Sequence, residues 1–215
     1  MKSVIPNLLT LANLAAGLFA IVALFDGNVV LAAYLLAASL VFDFLDGMVA
    51  RALGVHSELG LQLDSLADMV SFGVAPGFML YYLFLEVSGS GEPLPAFLPY
   101  LAFLVPIFSA LRLAKFNIDT RQTDNFIGLP TPANTILIYS LAIWALKTEN
   151  PTTEAILLHP FFLSFLTIAS SLLLVAEIPL LSLKVKELSW KANKSRILLI
   201  VAIVLLFALL RFRAF

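Results

Sequence analysis

Cysteine is absent from this chain of 215 residues, and charged residues make up only 13% of it. The absence of cysteine excludes disulfide bonds and leaves the redox environment of the protein undetermined. An average soluble domain carries about 25% charged residues. The low charge, together with 61% hydrophobic residues and a mean hydropathy of +1.00, predicts a polytopic membrane protein.

Basic charge is also scarce, because the formal net charge is −1 and the pI is about 6.1. Binding to the phosphate backbone of a nucleic acid depends on clustered basic side chains, so a nucleic-acid partner is not expected. The sequence contains no visible internal repeat and no separate soluble domain. We therefore predict a single integral membrane domain over residues 1–215, with membrane lipid as its surroundings.

The apolar segments predict an all-α membrane helical bundle with six core transmembrane helices and a seventh at the C-terminus. A membrane-spanning helix needs about 20 residues. The predicted spans cover residues 4–25, 29–51, 61–87, 94–111, 131–147, 156–183 and 197–213. The core would end near residue 185, and residues 186–215 would add an extra span after a basic link that begins at residue 184. Gly73, Pro76 and Gly77 predict a kink in the third span.

The distribution of lysine and arginine predicts the orientation. With seven spans and a cytoplasmic N-terminus, ten basic residues face the cytoplasm and three face outward. This asymmetry obeys the positive-inside rule. The prediction is an integral protein of the cytoplasmic membrane, with its N-terminus and active site facing the cytoplasm.

Four of the seven aspartates fall within residues 43–68, although the surrounding sequence is that of membrane helices. A carboxylate at membrane depth is costly unless it is paired, solvated or bound to a cation. Asp43 and Asp46 share one helical face, and Asp64 and Asp68 share another. Carboxylate oxygens suit hard divalent cations, so we predict that all four aspartates hold Mg²⁺ or Mn²⁺, as one ion or a pair.

Small residues accompany these aspartates on the same helical faces. Gly47, Ala50 and Gly60 would keep the surface open to a nucleotide or diphosphate, and Arg51 offers a planar donor for phosphate oxygens. The alternative is that small residues only allow membrane helices to pack closely. On the first span, Asn7, Thr10 and Asn13 recur every three residues. They would either hydrogen-bond between helices or, in the case of Thr10 or Asn13, line the nucleotide pocket.

The spacing of these residues fits the pattern DxxDGxxAR(x8)GxxxDxxxD at every position from Asp43 to Asp68. This pattern resembles the signature of the CDP-alcohol phosphatidyltransferases, membrane enzymes that move a phosphatidyl group from a CDP-linked lipid to an alcohol. The resemblance implies that Asp68 also acts as general base, and it implies a homodimer. The residues then expected to bind the CDP and diphosphate groups are Asp43, Gly47, Ala50, Arg51, Gly60, Asp64 and Ser65.

Three further segments are similar to the phosphatidylserine synthase branch of that family: QLDSLADMVSFGVAPG, RLAKFN and FIGLPTPA. This similarity implies CDP-diacylglycerol and L-serine as substrates, and we predict that Arg112 or Arg121 binds the serine carboxylate. Glycerol phosphate and inositol phosphate remain alternative acceptors. Alternatives of another class are a divalent-cation transporter, in which the carboxylates form a permeation site, and a structural membrane subunit.

Overall fold

The computed structural model describes residues 3–55, 57–89, 94–119 and 126–180, and these residues form a helical bundle, as predicted. The α-helices are α1 (Val4–Phe25), α2 (Val29–Ala52), α3 (Glu58–Asp68), α4 (Ala75–Gly89), α5 (Leu104–Ile118), α6 (Thr131–Lys147), α7 (Pro151–Leu157) and α8 (Pro160–Val175). A π-helical segment, Met69–Val74, joins α3 to α4, and a 3-10 helix, Leu98–Phe103, leads into α5. Two short strands, β1 (Phe126–Ile127) and β2 (Pro179–Leu180), pair in antiparallel fashion.

Four continuous helical stretches are long and apolar enough to cross a bilayer: Val4–Phe25, Val29–Ala52, Glu58–Ser88 and Leu98–Ile118. The pair formed by α7 and α8 gives a fifth if it is treated as one span with a bend of 50°. Large apolar side chains such as Phe19 and Phe44 are exposed along these helices, as expected for surfaces that face lipid. These features are those of an integral membrane protein. The predicted seventh span, 197–213, and the basic link lie outside the described residues.

Local sequence explains how the first three helices follow one another. Gly27 adopts a φ of 72° in the turn after α1, a conformation that costs glycine little. The side chain of Asn28 then caps α2 by accepting a hydrogen bond from the Leu31 amide at 3.0 Å, and Ser57 caps α3 through the Gly60 amide at 3.2 Å. The chain therefore reverses within three residues between α1 and α2, which makes these two helices antiparallel neighbours.

The sixth predicted span, residues 156–183, is wrong in both of its limits. A short helix, α7, already begins at Pro151, and α8 starts separately at Pro160, where His159 caps it by accepting a hydrogen bond from the Phe161 amide. Helix α8 ends at Val175 because the following backbone pairs elsewhere. The amide of Gly128 donates to the carbonyl of Ile178 at 3.0 Å, and β2 then pairs with β1.

Two other predicted spans differ from the structure at their ends. The third begins earlier, at Glu58, and contains the π-helical segment where a kink was predicted. The fourth begins at Leu98 and continues to Ile118, because α5 extends about two turns beyond the apolar stretch that predicted it. Arg112, Lys115 and Asn117 are therefore carried on a helix.

Helix α1 occupies the position on which the site depends, because it packs against α2, α3, the π-helical segment and α4. At Gly17, α1 comes very close to the π-helical segment. A β-carbon at Gly17 would lie 2.9 Å from the Ser71 α-carbon, which is too close for any side chain. The absence of a side chain at Gly17 thus fixes how near α1 comes to the segment that follows Asp68.

The largest apolar core lies at the end of the bundle that is remote from the aspartates. It combines the C-terminal half of α1, the N-terminal half of α2 and most of the length of α4 with residues of the 3-10 helix, α5, α6 and α8, and includes Leu24, Leu36, Leu83 and Phe84. Ring contacts extend it, since Phe78 meets Phe25 at 5.4 Å and Phe103 at 5.6 Å between ring centroids. Apolar side chains fill this core, and its packing depends on no polar group.

Replacing Gly17 by alanine tests the close approach of α1. The added methyl group has no room beside Ser71, so we expect a loss of about 1 to 3 kcal/mol of stability, as for other overpacked sites. The measurement is the midpoint of thermal unfolding in detergent, compared with Leu18→Ala, whose side chain is half exposed on the same helix. Equal midpoints for wild type and Gly17→Ala would show that α1 and the π-helical segment separate without cost.

Candidate active site and metal centre

Three carboxylates from two helices converge in the bundle. Asp43 on α2 and Asp64 and Asp68 on α3 each place one oxygen so that all three oxygens lie within 4.8 Å of one another. Asp64 and Asp68 are one helical turn apart, which puts them on the same face of α3. Because α1 packs against both α2 and α3, it holds the two helices at the distance at which their carboxylates meet. We call these three residues the carboxylate cluster.

Asp46 lies beside the carboxylate cluster and is not one of its three members. Its side chain is only 6% exposed, and its Oδ2 accepts a hydrogen bond of 2.6 Å from the Thr10 hydroxyl on α1. Asp46 is nevertheless close enough to interact electrostatically with Asp43, Asp64 and Asp68. The sequence therefore identified four neighbouring aspartates, and the structure divides them into a group of three and an adjacent fourth.

Asn13 connects the carboxylate cluster to the helices around it. The side chain is fully buried, and its Nδ2 donates to Asp68 Oδ1 at 3.2 Å. Its own Oδ1 accepts a hydrogen bond from the Ser39 hydroxyl, and its backbone carbonyl accepts one from the Ser71 hydroxyl at 3.1 Å. Asn13 is thus held on two sides while it fixes the orientation of Asp68. Thr10 and Asn13 therefore hydrogen-bond between helices, as one interpretation of the polar stripe on α1 predicted, while their place in a nucleotide pocket stays a prediction.

The chemistry of the cluster fits a divalent cation. All of its candidate ligands are carboxylate oxygens, the ligands that Mg²⁺ and Mn²⁺ prefer. Asp64 Oδ1 is buried and has no hydrogen-bond partner among the described residues, so it offers a free ligand atom. Three carboxylates at this distance repel one another unless positive charge or protons neutralise them. A bound cation would remove that repulsion.

A cavity of about 190 Å³ opens next to the cluster and is lined by most of the small residues that the sequence singled out. Its walls include Asn7, Thr10, Asp46, Gly47, Ala50, Gly60 and Asp64. A β-carbon at Gly60 would lie 3.3 Å from Asn7 Oδ1, so glycine keeps this wall open. Arg51 is exposed, and its guanidinium lies over Gly47. The cavity therefore combines carboxylates with open backbone surface, and the Arg51 guanidinium lies beside its Gly47 wall.

The other predicted site residues are placed differently. Ser65 does not line this cavity, because its hydroxyl accepts a hydrogen bond of 2.8 Å from Asn117 on α5. Arg112 is buried on α5, where it donates to the Thr131 hydroxyl at 3.4 Å and its guanidinium lies 5.6 Å from the Phe116 ring centroid. Asp68 is close enough to Arg112 to interact with its charge. Arg121 lies outside the described residues.

Sequence reasoning missed Ser39, which holds Asn13, and Asn134, which is fully buried on α6. A signal for Ser39 was present, because it precedes Asp43 by four residues and so shares a helical face with it. Asn134 follows Thr131 by one turn on α6. A buried amide in a membrane helix is itself a mark of function or of interhelical contact.

Comparison with known proteins supports the family resemblance independently of the structure. The family model described as CDP-alcohol phosphatidyltransferase matches residues 3–213. The CDP-diacylglycerol–serine O-phosphatidyltransferase of Helicobacter pylori strain J99 is 40% identical over 136 residues, which cover 62% of this chain and 54% of that protein. The protein of the same name from Bacillus subtilis is 37% identical over 156 residues, covering 71% of this chain and 80% of that protein.

An archaeal protein is also similar. The archaetidylserine synthase of Methanothermobacter thermautotrophicus is 32% identical over 181 residues, covering 81% of this chain and 68% of that protein. The chain spans about half the length of the Helicobacter relatives that it matches. The family match extends over nearly the whole chain and includes every residue of the aspartate motif. The chain belongs to the CDP-alcohol phosphatidyltransferase family.

Proposed function

We propose that this protein transfers a phosphatidyl group from CDP-diacylglycerol to the hydroxyl of L-serine, giving phosphatidylserine and CMP. The observation that carries the proposal is the convergence of Asp43, Asp64 and Asp68 beside a cavity lined by glycine and alanine. Such a site accommodates a metal ion and a diphosphate together. The reaction is a transfer between lipid and alcohol, which agrees with a site inside a membrane bundle.

Serine is favoured as the acceptor by the relatives, because the names of the three described above all specify serine or a serine lipid. Glycerol phosphate or inositol phosphate would undergo the same chemistry and is the second candidate. Each carries a phosphate and would need more basic side chains than Arg112 supplies. A cation transporter is not favoured, since the family match is to transferases and the carboxylates lie beside a cavity lined by small residues.

The diphosphate of the lipid substrate would lie against Gly47, Ala50 and Gly60, where no side chain blocks its approach. Arg51, placed over Gly47, would donate hydrogen bonds to phosphate oxygens. Asp43, Asp64 and Asp68, with Asp46 beside them, would hold Mg²⁺ or Mn²⁺ as one ion or a pair. The bound cation would neutralise the diphosphate and stabilise the CMP that leaves.

Asp68 is the general base in this proposal. The serine oxygen forms a bond to the phosphorus that carries diacylglycerol, the bond from that phosphorus to the CMP oxygen breaks, and Asp68 takes the hydroxyl proton. Asn13 donates to one oxygen of Asp68 and so fixes the plane of the carboxylate. A base has to lie within hydrogen-bond reach of the proton it removes, so this orientation matters for rate.

The proposal also covers the serine-binding residue, the number of membrane spans, the oligomeric state and the orientation. Arg112 or Arg121 would bind the serine carboxylate. Helix α6, with 17 residues, lies at the short end of the range that spans a bilayer and would complete six core spans, with the seventh at the C-terminus. The protein would be a homodimer of the cytoplasmic membrane. Its N-terminus and carboxylate cluster would face the cytoplasm, where CDP-lipids present their head groups and serine is dissolved.

The reaction is tested by CMP release from purified protein in detergent with CDP-diacylglycerol and Mn²⁺ or Mg²⁺. We expect release with L-serine and not with glycerol 3-phosphate, inositol phosphate or no acceptor. Asp68→Asn should lower the rate by about 10² to 10⁴-fold, the usual contribution of a general base. Asp26→Asn, in the exposed turn at the other end of α1, should keep full activity. Release that depends on another acceptor would keep the mechanism and remove serine from it.

The role of Asn13 is tested by its effect on metal activation. Asn13→Leu removes the hydrogen bond to Asp68 and should raise the Mn²⁺ concentration for half-maximal activity, or lower kcat, by about 10 to 100-fold, as for other residues that orient metal ligands. Activity should disappear with EDTA and return with added Mn²⁺. Thr10→Val is the matched variant on the same face of α1, and its effect should be smaller because Asp46 lies outside the cluster. A metal response of Asn13→Leu equal to that of wild type would contradict this role.

The orientation is tested by labelling single cysteines, since the chain has none of its own. Glu58→Cys begins α3 near the aspartate motif, and Thr152→Cys lies on α7 at the opposite end of the bundle. In sealed vesicles a membrane-impermeant maleimide should reach Glu58→Cys from the cytoplasmic face and Thr152→Cys from the other face. The opposite labelling pattern would place the carboxylate cluster on the outer side.

A further inference from the structure

Several buried polar atoms on α5 and α6 lack hydrogen-bond partners within the described part of the chain. They include Ser109 Oγ and Arg112 Nε on α5 and both side-chain atoms of Asn134 on α6. Buried polar groups in folded proteins are almost always hydrogen-bonded, so each such group requires an explanation. A group of them close to a reaction site is best explained by a polar ligand that supplies the missing partners.

Contacts among the described residues bring these side chains to the same region. Arg112 donates to Thr131 at the start of α6, and Asn134 follows Thr131 by one turn on the same buried face. Ser109 precedes Arg112 by one turn on α5, and its β-carbon would lie 3.0 Å from a β-carbon at Gly73 in the π-helical segment. That segment begins directly after Asp68. The unpartnered atoms therefore lie on the parts of α5 and α6 that contact each other through Arg112 and Thr131 or contact the π-helical segment after Asp68, and Arg112 is the one whose charge interacts with Asp68.

Arg112 supplies the positive charge of this region. The side chain is 8% exposed, and its only hydrogen bond to a described residue is the one to the neutral Thr131 hydroxyl. A buried guanidinium without a paired anion is costly, and its planar fork is suited to a carboxylate. Asp68 is near enough to interact with its charge, but no ion pair joins them among the described residues. Arg112 thus has donor capacity left for an anionic ligand.

Asn134 supplies the complementary groups. It is 0% exposed, and neither Oδ1 nor Nδ2 has a partner among the described residues, whereas Thr135, the next residue, donates to the carbonyl of Phe72. A side-chain amide offers an acceptor for an ammonium group at Oδ1 and donors for an anion at Nδ2. An acceptor alcohol that carried only a carboxylate or only a phosphate would leave Oδ1 unpaired.

We propose that Asn134 and Arg112 form a recognition site for the ammonium and carboxylate groups of an amino-acid acceptor beside Asp68. This inference rests on the proposed function and deepens it by assigning a specificity-determining residue. Arg112 binds the carboxylate, Asn134 Oδ1 accepts from the ammonium group and Asp68 accepts from the hydroxyl. Three contacts at three different positions distinguish the two enantiomers of serine, because the mirror image can satisfy only two of them at once.

The test compares L-serine with D-serine as acceptors for CMP release. Asn134→Leu keeps the branched shape of the side chain and removes both polar atoms, so we expect KM for L-serine to rise by about tenfold or more while KM for CDP-diacylglycerol stays within about twofold. The ratio of kcat/KM for L-serine to that for D-serine should fall by about tenfold. This ratio does not depend on the fraction of protein that is folded. Asn134→Ala, which adds no bulk, should give the same change if Asn134→Leu folds poorly.

Tyr139→Phe is the matched control, because it removes a hydroxyl from the same buried side of α6 that donates to the carbonyl of Ala75. Its L-to-D ratio and serine KM should equal those of wild type. Unchanged serine KM and enantiomer ratio in both Asn134 variants would overturn the inference while leaving the proposed function intact. A rise in KM for CDP-diacylglycerol alone would also overturn it and assign Asn134 to the lipid substrate. A wild-type protein that releases no CMP with serine would overturn both proposals.

Discussion

The repulsion among carboxylates inside an apolar bundle is the constraint on which the rest of the structure depends. Asp43, Asp64 and Asp68 hold oxygens within 4.8 Å of one another, and Asp46 adds a fourth negative charge beside them. Such an arrangement is stable only if donors, cations or protons compensate the charge. The described residues supply donors from Thr10 and Asn13, both on α1. The first helix is therefore part of the site, although it contains no charged residue.

Close packing around α1 is what brings those donors into place. Gly17 lets the π-helical segment approach so closely that Ser71 donates to the backbone carbonyl of Asn13. A helical carbonyl keeps a second lone pair, and the close approach lets the Ser71 hydroxyl donate to it. The wider turn of the π-helix begins at Met69, immediately after Asp68, and such segments are often found at functional sites. The irregular part of the third span therefore lies directly after Asp68, and the same residue of α1, Asn13, contacts both.

The sequence was sufficient to predict those parts of the fold that depend on a single helix. Its apolar stretches predicted α1, α2 and α6 to within one residue, and the spacing of the aspartates predicted that Asp43, Asp64 and Asp68 would meet. It was not sufficient for features that arise between elements. Helix α8 ends at Val175 because later residues pair with the segment before α6, and nothing in the apolar run itself marks that end.

The same limit applies within the site. Periodicity places Asp46 on the face of Asp43, but the hydrogen bond from Thr10 holds it to one side of the cluster. Ser65 has the spacing of a site residue, yet Asn117 from another helix occupies its hydroxyl. Asn134 carries no motif at all and becomes notable only through its complete burial. Which polar side chains are satisfied by neighbours, and which are left for a ligand, is a property of the packed bundle.

The two ends of the bundle have different roles, one in stability and the other in chemistry. The end remote from the aspartates is filled by apolar and aromatic side chains, such as Phe78, Leu83 and Phe84, and needs no polar partner. The aspartate end contains most of the buried polar atoms that lack partners among residues 3–55, 57–89, 94–119 and 126–180. A site that binds charged substrates has to keep such groups available, and this costs stability. The apolar core offsets that cost at a distance. The helices run the length of the bundle, so packing at the apolar end also holds their other ends, which carry the site.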